Sequence, residues 1–353
     1  MAIGAARSDG PSEASGGTDV ELVKQLRALA DLATPYAIRV AATLRLADLI
    51  QAGARRSDEL AEQSKTDAAA LERVLRHLVA KGVFAQPEPG IFALTGLSRP
   101  LLTDQRHGGL SPWLDVDGGL GRSDTALSGM LQAARTGRPV YEHMFGRTFW
   151  EDLEADPQRG RAFEALMAVQ VSLVADEVAT AYDWSDVRHV VDVGGGTGTV
   201  LAALLTKYPT LRGTLVDLPS TVETGRRKLT AAGLSDRCTF SPGSFFASLP
   251  SDGDVYVLSK VLHDWSDNDV EGILRRCAEA TGSAGRVLVI EQLVTDHTTS
   301  WMTTAMDLRM LAVTGGKERS VEEYRALAAV AGLSLRRNII TESARSIMEF
   351  AAT

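Results

Sequence analysis

The run Val190-Val191-Asp192-Val193-Gly194-Gly195-Gly196-Thr197-Gly198-Thr199 limits what this chain can fold into more than any other segment. An apolar strand runs into a glycine-rich turn, and the turn opens a helical pattern at Val200, Leu201, Leu204 and Leu205. Glycines let the backbone approach a ligand closely, and a helix N-terminus meets it with unpaired N–H groups. In open α/β sheets such a ligand sits beyond the C-terminal strand ends. A nicotinamide dinucleotide fingerprint needs glycine at its first, third and sixth positions. Counted from Gly194 the sixth position is Thr199, and counted from Gly196 it is Leu201, so neither register fits. A G-x-G-x-G loop at Gly194, Gly196 and Gly198 suits S-adenosylmethionine (SAM), where no pyrophosphate has to be cradled.

The rest of the C-terminal half agrees with this start. Strands are expected over 189–193, 213–217, 238–241, 254–259, 286–291, 335–340 and 346–351. Helical patterns separate several of them, such as 269–280 and 321–331, the latter behind a Ser320/Glu323 capping box. The alternation predicts a doubly wound, Rossmann-like domain with a seven-stranded, mostly parallel sheet over 183–353. Asp217 closes the second strand, placed to accept hydrogen bonds from a ribose diol.

Upstream the chain reads as helical. Leu22, Leu26, Leu29 and Leu32, then Ile38, Ala41, Ala42, Leu46 and Leu49, fall at helical spacing, with Pro35 dividing the two groups. Ser57 is expected to cap a short helix and Asp67 a longer one, which ends near Gly82. Two β-like stretches follow, 83–85 and 91–94, joined by Pro87-Glu88-Pro89-Gly90. The whole, over 20–105, has the outline of a winged helix. Arg73, Arg76 and Lys81 on its second long helix are offset by Glu59, Glu62, Asp67 and Glu72, and the formal net charge is −8. Phosphate backbones need a cationic face. Nucleic acid is therefore not the expected partner, and a packing or dimerisation module is the better reading. Residues 106–182 form a helical connector expected to line the substrate pocket.

Residues 1–19 are rich in Gly, Ala and Ser without an apolar block, and are expected to be a disordered tail rather than a signal peptide. No apolar run approaches the ~20 residues needed to cross a bilayer. The two cysteines, Cys238 and Cys277, offer neither a disulfide framework nor a metal site. A cytoplasmic protein with no membrane partner and no metal is expected.

The segment Ser259-Lys260-Val261-Leu262-His263-Asp264-Trp265 follows the fourth strand and puts His263 on the ligand side of the sheet. Methyl transfer to oxygen is a direct displacement that needs alignment and removal of a hydroxyl proton. An unperturbed imidazole, of pKa about 6.5, is neutral near pH 7 and can accept that proton. A phenol is ~3.5 units more basic, so full transfer to such an imidazole would cost roughly 5 kcal/mol. A carboxylate on the second ring nitrogen would fix the tautomer; Glu291 and Glu318 are both candidates.

Together, His263-Asp264-Trp265, the loop Gly194–Gly198 and Gly315-Gly316-Lys317-Glu318-Arg319 resemble the caffeate/flavonoid-type SAM-dependent O-methyltransferases. The segment from Thr34-Pro35 to Asp48 is most similar to the bacterial branch acting on anthracyclines and other aromatic polyketides. The resemblance implies a histidine base, His263, flanked by Glu291 and Glu318, with Asp264 in the same catalytic group. It implies cofactor contacts at Asp192, Gly194, Gly196, Asp217, Leu218, Gly243, Ser244, Phe245, Ser259 and Lys260. A substrate pocket is implied at Met167, Trp150, Met306 and Met310, although methionines at helical spacing are also ordinary core. The implied cofactor is SAM, with S-adenosylhomocysteine as product and no metal. The partners are a small aromatic acceptor and a second copy bound through the N-terminal domain. The family usually carries Asp where this chain has Ser244. A hydroxyl accepts without charge, a loss of about 1 kcal/mol. Within the same branch, relatives that bind SAM yet hydroxylate or decarboxylate an anthracycline-like substrate leave that reaction as an alternative. A ligand-sensing winged-helix regulator is the remote one.

Overall fold

The computed structural model describes residues 19–104, 109–295 and 300–353. The expectation of a disordered tail concerns residues that lie almost wholly outside this set. Two compact units divide at Leu114 and Asp115.

The N-terminal unit is built from helices Asp19–Leu29, Ala33–Thr43, Leu46–Gln51, Ser57–Ser64 and Ala68–Ala80, followed by a hairpin of β1 (Phe84–Glu88) and β2 (Ile91–Leu94). Its core gathers Leu46, Ile50, Leu60, Leu71, Leu75, Leu78, Phe84 and Phe92. The first helix break falls at residues 30–32, so Pro35 sits in the first turn of the second helix, where its missing N–H is no loss. A second break, not expected, comes at Arg45, which turns left-handed (φ 54°). Ser57 is the first helical residue rather than the cap. The Arg55 and Arg56 N–H groups are instead taken by Glu59 Oε2, at 3.1 Å each. Strand β1 also runs on into the expected turn at Pro87-Glu88. The register slips between Ala85 and Glu88, where Pro87 has no N–H for the ladder. Leu22, Leu26, Leu29 and Leu32 stay 53–85% exposed, so none of the described residues covers their stripe.

The C-terminal unit opens with short helices and then the long helix Pro157–Ala181. Strands β3 (His189–Val193), β4 (Arg212–Asp217), β5 (Cys238–Pro242), β6 (Val255–Ser259), β7 (Arg286–Gln292), β8 (Leu333–Ile340) and β9 (Arg345–Ala352) form one sheet in the order β5-β4-β3-β6-β7-β9-β8. The first five are mutually parallel, and β9 runs antiparallel to both β7 and β8. The central strands β3, β6 and β7 read as near-continuous apolar runs because both faces are covered. One side packs on helices Pro157–Ala181 and Thr199–Lys207 through Val178, Leu201, Leu204 and Leu205. The other packs on Asp267–Thr281 and Val321–Val330 through Ile273, Leu274, Tyr324 and Ala328. The seven-stranded, mostly parallel sheet and the helical N-terminal unit are as expected. The strand order reverses between β3 and β6, and the crevice at that switch point is where ligands bind in such sheets. The glycine loop leaves β3 there and the His263 turn leaves β6 beside it.

Among the described residues no helix is long and apolar enough to cross a membrane. Asp67 caps Ala68–Ala80 by accepting from the Ala70 N–H at 2.8 Å. Asp67→Ala is expected to cost about 1 kcal/mol, read as a lower urea midpoint with an unchanged slope.

Candidate active site

Gly194 and Gly196 both take left-handed φ values, 67° and 58°, which a side chain would strain. At Gly196 nothing stands within 4 Å of where a Cβ would be, so this turn presents bare backbone to open space. The Gly194 N–H donates to the Val216 carbonyl at 2.8 Å, tying the loop to β4. Asp217, at the end of β4, accepts from Gly196 N–H (2.8 Å) and Leu218 N–H (2.7 Å). Burial raises its pKa. Asp192 is buried on β3, and neither carboxylate oxygen has a partner among the described residues. Burial, and then the neighbouring Asp217 charge, push its pKa up to about 7. An uncompensated buried acid costs stability unless a ligand satisfies it.

Phe245 lies over the loop, so that a Cβ on Gly194 would meet its ring at 3.3 Å. Its ring packs edge-on against Trp265 at 5.7 Å, and Trp265 stacks on Trp150 at 6.1 Å and 15°. Trp150 in turn meets Phe163, on the long helix that also carries Met167. The indole N–H of Trp150 is buried without a partner among the described residues. Ser244 uses its hydroxyl oxygen locally, accepting from Phe246 N–H at 3.2 Å. Met306 and Met310 lie on helix Trp301–Val313, Met310 buried and Met306 half-buried. Sequence-predicted residues from β3, β4, β5 and β6 thus gather at one edge of the sheet. Gly243 closes the turn after β5 by donating to the Asp217 carbonyl at 2.9 Å.

His263 sits in a short turn, Leu262–Asp264, just past β6 and is buried. Its Nδ1 lies 2.9 Å from Glu318 Oε1, and its Nε2 lies 3.7 Å from Asp264 Oδ1. Glu291 takes a different place from the one its candidacy for the ring nitrogen required. Its Oε1 accepts from the backbone N–H groups of Leu262 (3.0 Å) and His263 (3.4 Å), because β7 aims it beneath the turn rather than at the ring. Burial pulls the imidazole pKa down, but the carboxylates of Asp264, Glu291 and Glu318 outweigh it and raise the value to about 9. The expectation of an ordinary, neutral imidazole at pH 7 is therefore corrected. Burial, opposed by His263, lifts Glu291 to about 7. Burial also raises Asp264 and lowers Lys260, which leaves β6 with a left-handed φ of 56°.

Residues that carry this arrangement were not picked out from sequence. Asp307 accepts the Glu318 N–H at 2.8 Å, and Arg319 reaches the backbone of the His263 turn. Arg319 stood in a quoted motif, but an arginine is ordinarily a surface residue, and nothing local signals its burial.

A family model described as an O-methyltransferase domain matches residues 127–334, more than half of the chain. The chain belongs to this O-methyltransferase family. A second model, the O-methyltransferase dimerisation domain, matches residues 26–104. The O-methyltransferase is 48% identical over 311 residues to the 2,7-dihydroxy-5-methyl-1-naphthoate 7-O-methyltransferase of Streptomyces carzinostaticus, covering 88% of this chain and 92% of that one. It is 43% identical to the aclacinomycin 10-hydroxylase RdmB of Streptomyces purpurascens, over 98% and 94% of the two chains. Among solved structures it resembles NcsB1 in complex with SAM and 2-hydroxy-5-methyl naphthoic acid, at 46% identity and a TM-score of 0.88 over 93% and 98% of the chains. It also resembles TnmH, at 45% identity and a TM-score of 0.91 over 96% and 100%. The expected class, a SAM-dependent O-methyltransferase of Rossmann-like fold, is borne out.

Because folding raises the His263 pKa, the protonated ring favours the folded O-methyltransferase. That contribution is complete below 6.5 and is lost as pH rises through about 9. It is on the order of 3 kcal/mol. Glu291 acts in the same direction in a lower window, from 4.5 to about 7. The thermal midpoint of the wild type is expected to fall more steeply than that of His263→Gln between about pH 7 and pH 9.5. Parallel curves would mean that the folded chain does not charge this histidine.

Proposed function

We propose that the enzyme methylates a hydroxyl of a small aromatic natural product, with His263 as general base. The observation that carries this reading is the buried Nδ1–Glu318 contact of 2.9 Å, which leaves Nε2 as the ring's reactive nitrogen. Asp192, Gly194, Gly196, Asp217, Leu218, Gly243, Ser244, Phe245, Ser259 and Lys260 are the residues assigned to hold SAM. The fit is chemical. The loop offers bare backbone, Asp217 offers carboxylate oxygens to a diol, Phe245 an aromatic face, and the buried acids complement a cation. When bound, SAM supplies an electrophilic methyl group on a sulfonium.

The chain's own task is to place the acceptor oxygen and take its proton. His263 with a pKa of about 9 is nearly matched to a phenol, whose ordinary value is ~10. Proton transfer then costs about 1.4 kcal/mol instead of roughly 5 for an ordinary imidazole. The raised pKa has a consequence: the ring must first lose its proton. Glu318 holds the Nδ1 proton and steadies the charge that Nε2 acquires. Trp150, Met167, Met306 and Met310 supply the apolar walls for a flat acceptor, and Asp264, beside Nε2, a further polar contact.

The matching dimerisation domain and the uncovered stripe of Leu22, Leu26 and Leu29 support a homodimer formed through the N-terminal unit. The domain division proposed is 20–105 for dimerisation, 106–182 as the helical wall of the pocket, and 183–353 for cofactor and catalysis. A cytoplasmic enzyme fits the absence of a spanning helix among the described residues.

The hydroxylase relative keeps a second reading open, in which the same site adds oxygen. Mass spectrometry after incubation with SAM and phenolic polyketides or hydroxynaphthoates separates the two. A gain of one methylene with matching S-adenosylhomocysteine is expected, and a gain of one oxygen with SAM untouched would overturn the proposal. His263→Ala is expected to lower kcat by 10²-fold or more, on the order of a lost general base, with cofactor affinity nearly unchanged. For the wild type, kcat/KM should rise with pH up to about 9 and then level, the sign expected of a base that works only when neutral. A profile flat from pH 6 to 9 would remove His263 from that role.

A further inference from the structure

Arg319 is fully buried beneath the His263 turn. Its guanidinium donates from Nε to Asp267 Oδ1 at 2.8 Å, from Nη1 to the carbonyls of Leu262 (3.0 Å) and Lys317 (3.2 Å), and from Nη2 to the Trp265 carbonyl at 2.8 Å. The carbonyls of Leu262 and Trp265 bracket His263. Next to them, the His263 carbonyl accepts from the Lys317 N–H at 2.9 Å. Gly316 makes this approach possible, since a Cβ there would collide with that carbonyl.

The segment is also fixed from behind. Arg319 pairs with Leu293 in a parallel bridge beyond β7, and its carbonyl accepts from Val294 N–H at 3.0 Å. Glu318, one residue earlier, is held through its N–H by Asp307 and reaches Nδ1 with its side chain. The imidazole and its carboxylate therefore come from two segments, and the Arg319 side chain is the buried charged link between them, beside the more exposed Lys317–Asp267 pair. A planar fork serves several acceptors at once; an ammonium on a flexible stem does so poorly.

We propose that Arg319 is a positioning residue that sets the basicity of His263 by fixing the distance between its turn and Glu318. This rests on His263 being the base. The test uses the full-length chain with Arg319→Lys, Glu318→Gln and the double variant, read by steady-state kinetics against pH and by ¹⁵N titration of the labelled histidine ring. In Arg319→Lys, the plateau kcat above the limb is expected to fall roughly tenfold with KM for SAM within about threefold, and both the kinetic limb and the ring titration to move down by about one pH unit. In the Glu318→Gln background the same substitution should cost less than about twofold, because the pair it acts through is already broken.

A slower Arg319→Lys enzyme with an unmoved ring titration would overturn the proposal, as would an equal cost in both backgrounds. If Arg319→Lys does not fold, Asp267→Ala removes the half-exposed anchor of the guanidinium instead. It should move the titration in the same direction by less, and an unchanged titration would overturn the proposal there. Full turnover by His263→Ala would sink the base assignment alone, since the ring titration of Arg319→Lys needs no turnover.

Discussion

The contact between His263 Nδ1 and Glu318 Oε1 is the interaction on which the rest of this molecule depends. Both groups are buried, and neither would hold charge alone at such a site without a large desolvation cost. Together they create a base whose strength approaches that of the phenol it is proposed to serve. The partners are 55 residues apart in the chain, so the fold has to bring them together. It does this with a sheet whose strands β6 and β7 lie side by side, and with a segment after helix Trp301–Val313 that docks on the end of β7.

The same sheet explains why the glycine loop stands next to this pair. Chains that wind outward in both directions from a central strand leave a crevice where the direction changes. Here β3 and β6 flank that crevice, one carrying the glycine loop and the other the His263 turn. Glu291 shows how closely strand geometry controls chemistry. It closes β7 only one strand away, yet its carboxylate meets the backbone of the turn and not the ring. Two glutamates that look alike in sequence thus do different work: one orients the imidazole, the other pins the peptide that carries it.

How much of this was legible in the sequence follows from the range of the forces involved. The glycine loop, the β strands and the Ser320/Glu323 box are local patterns, and residues 189–193 and 91–94 fold within the expected bounds. The break at Arg45 and the extension of β1 through Pro87 were not legible, because propensity there is weak and packing decides. Among the site residues, His263 and the glycines announce themselves by position relative to a strand. The division of labour between Glu291 and Glu318 depends on which way each side chain leaves its backbone, and Arg319 on a burial that composition argues against. The raised pKa of His263 was the least legible quantity, since it is the sum of three carboxylates from three segments.

Charge gives the last step. Asp192, Asp217, Asp264, Glu291 and Glu318 crowd one edge of the sheet, and burial raises the pKa values of the first four. Those upward shifts mean that the fold itself resists holding so much negative charge. A ligand with a positive centre relieves this strain, and one without it does so less. The sulfonium of SAM carries such a charge, and the thioether left after methyl transfer does not. On the proposed reading, acids of this kind are better matched to the charged reactant than to the neutral product.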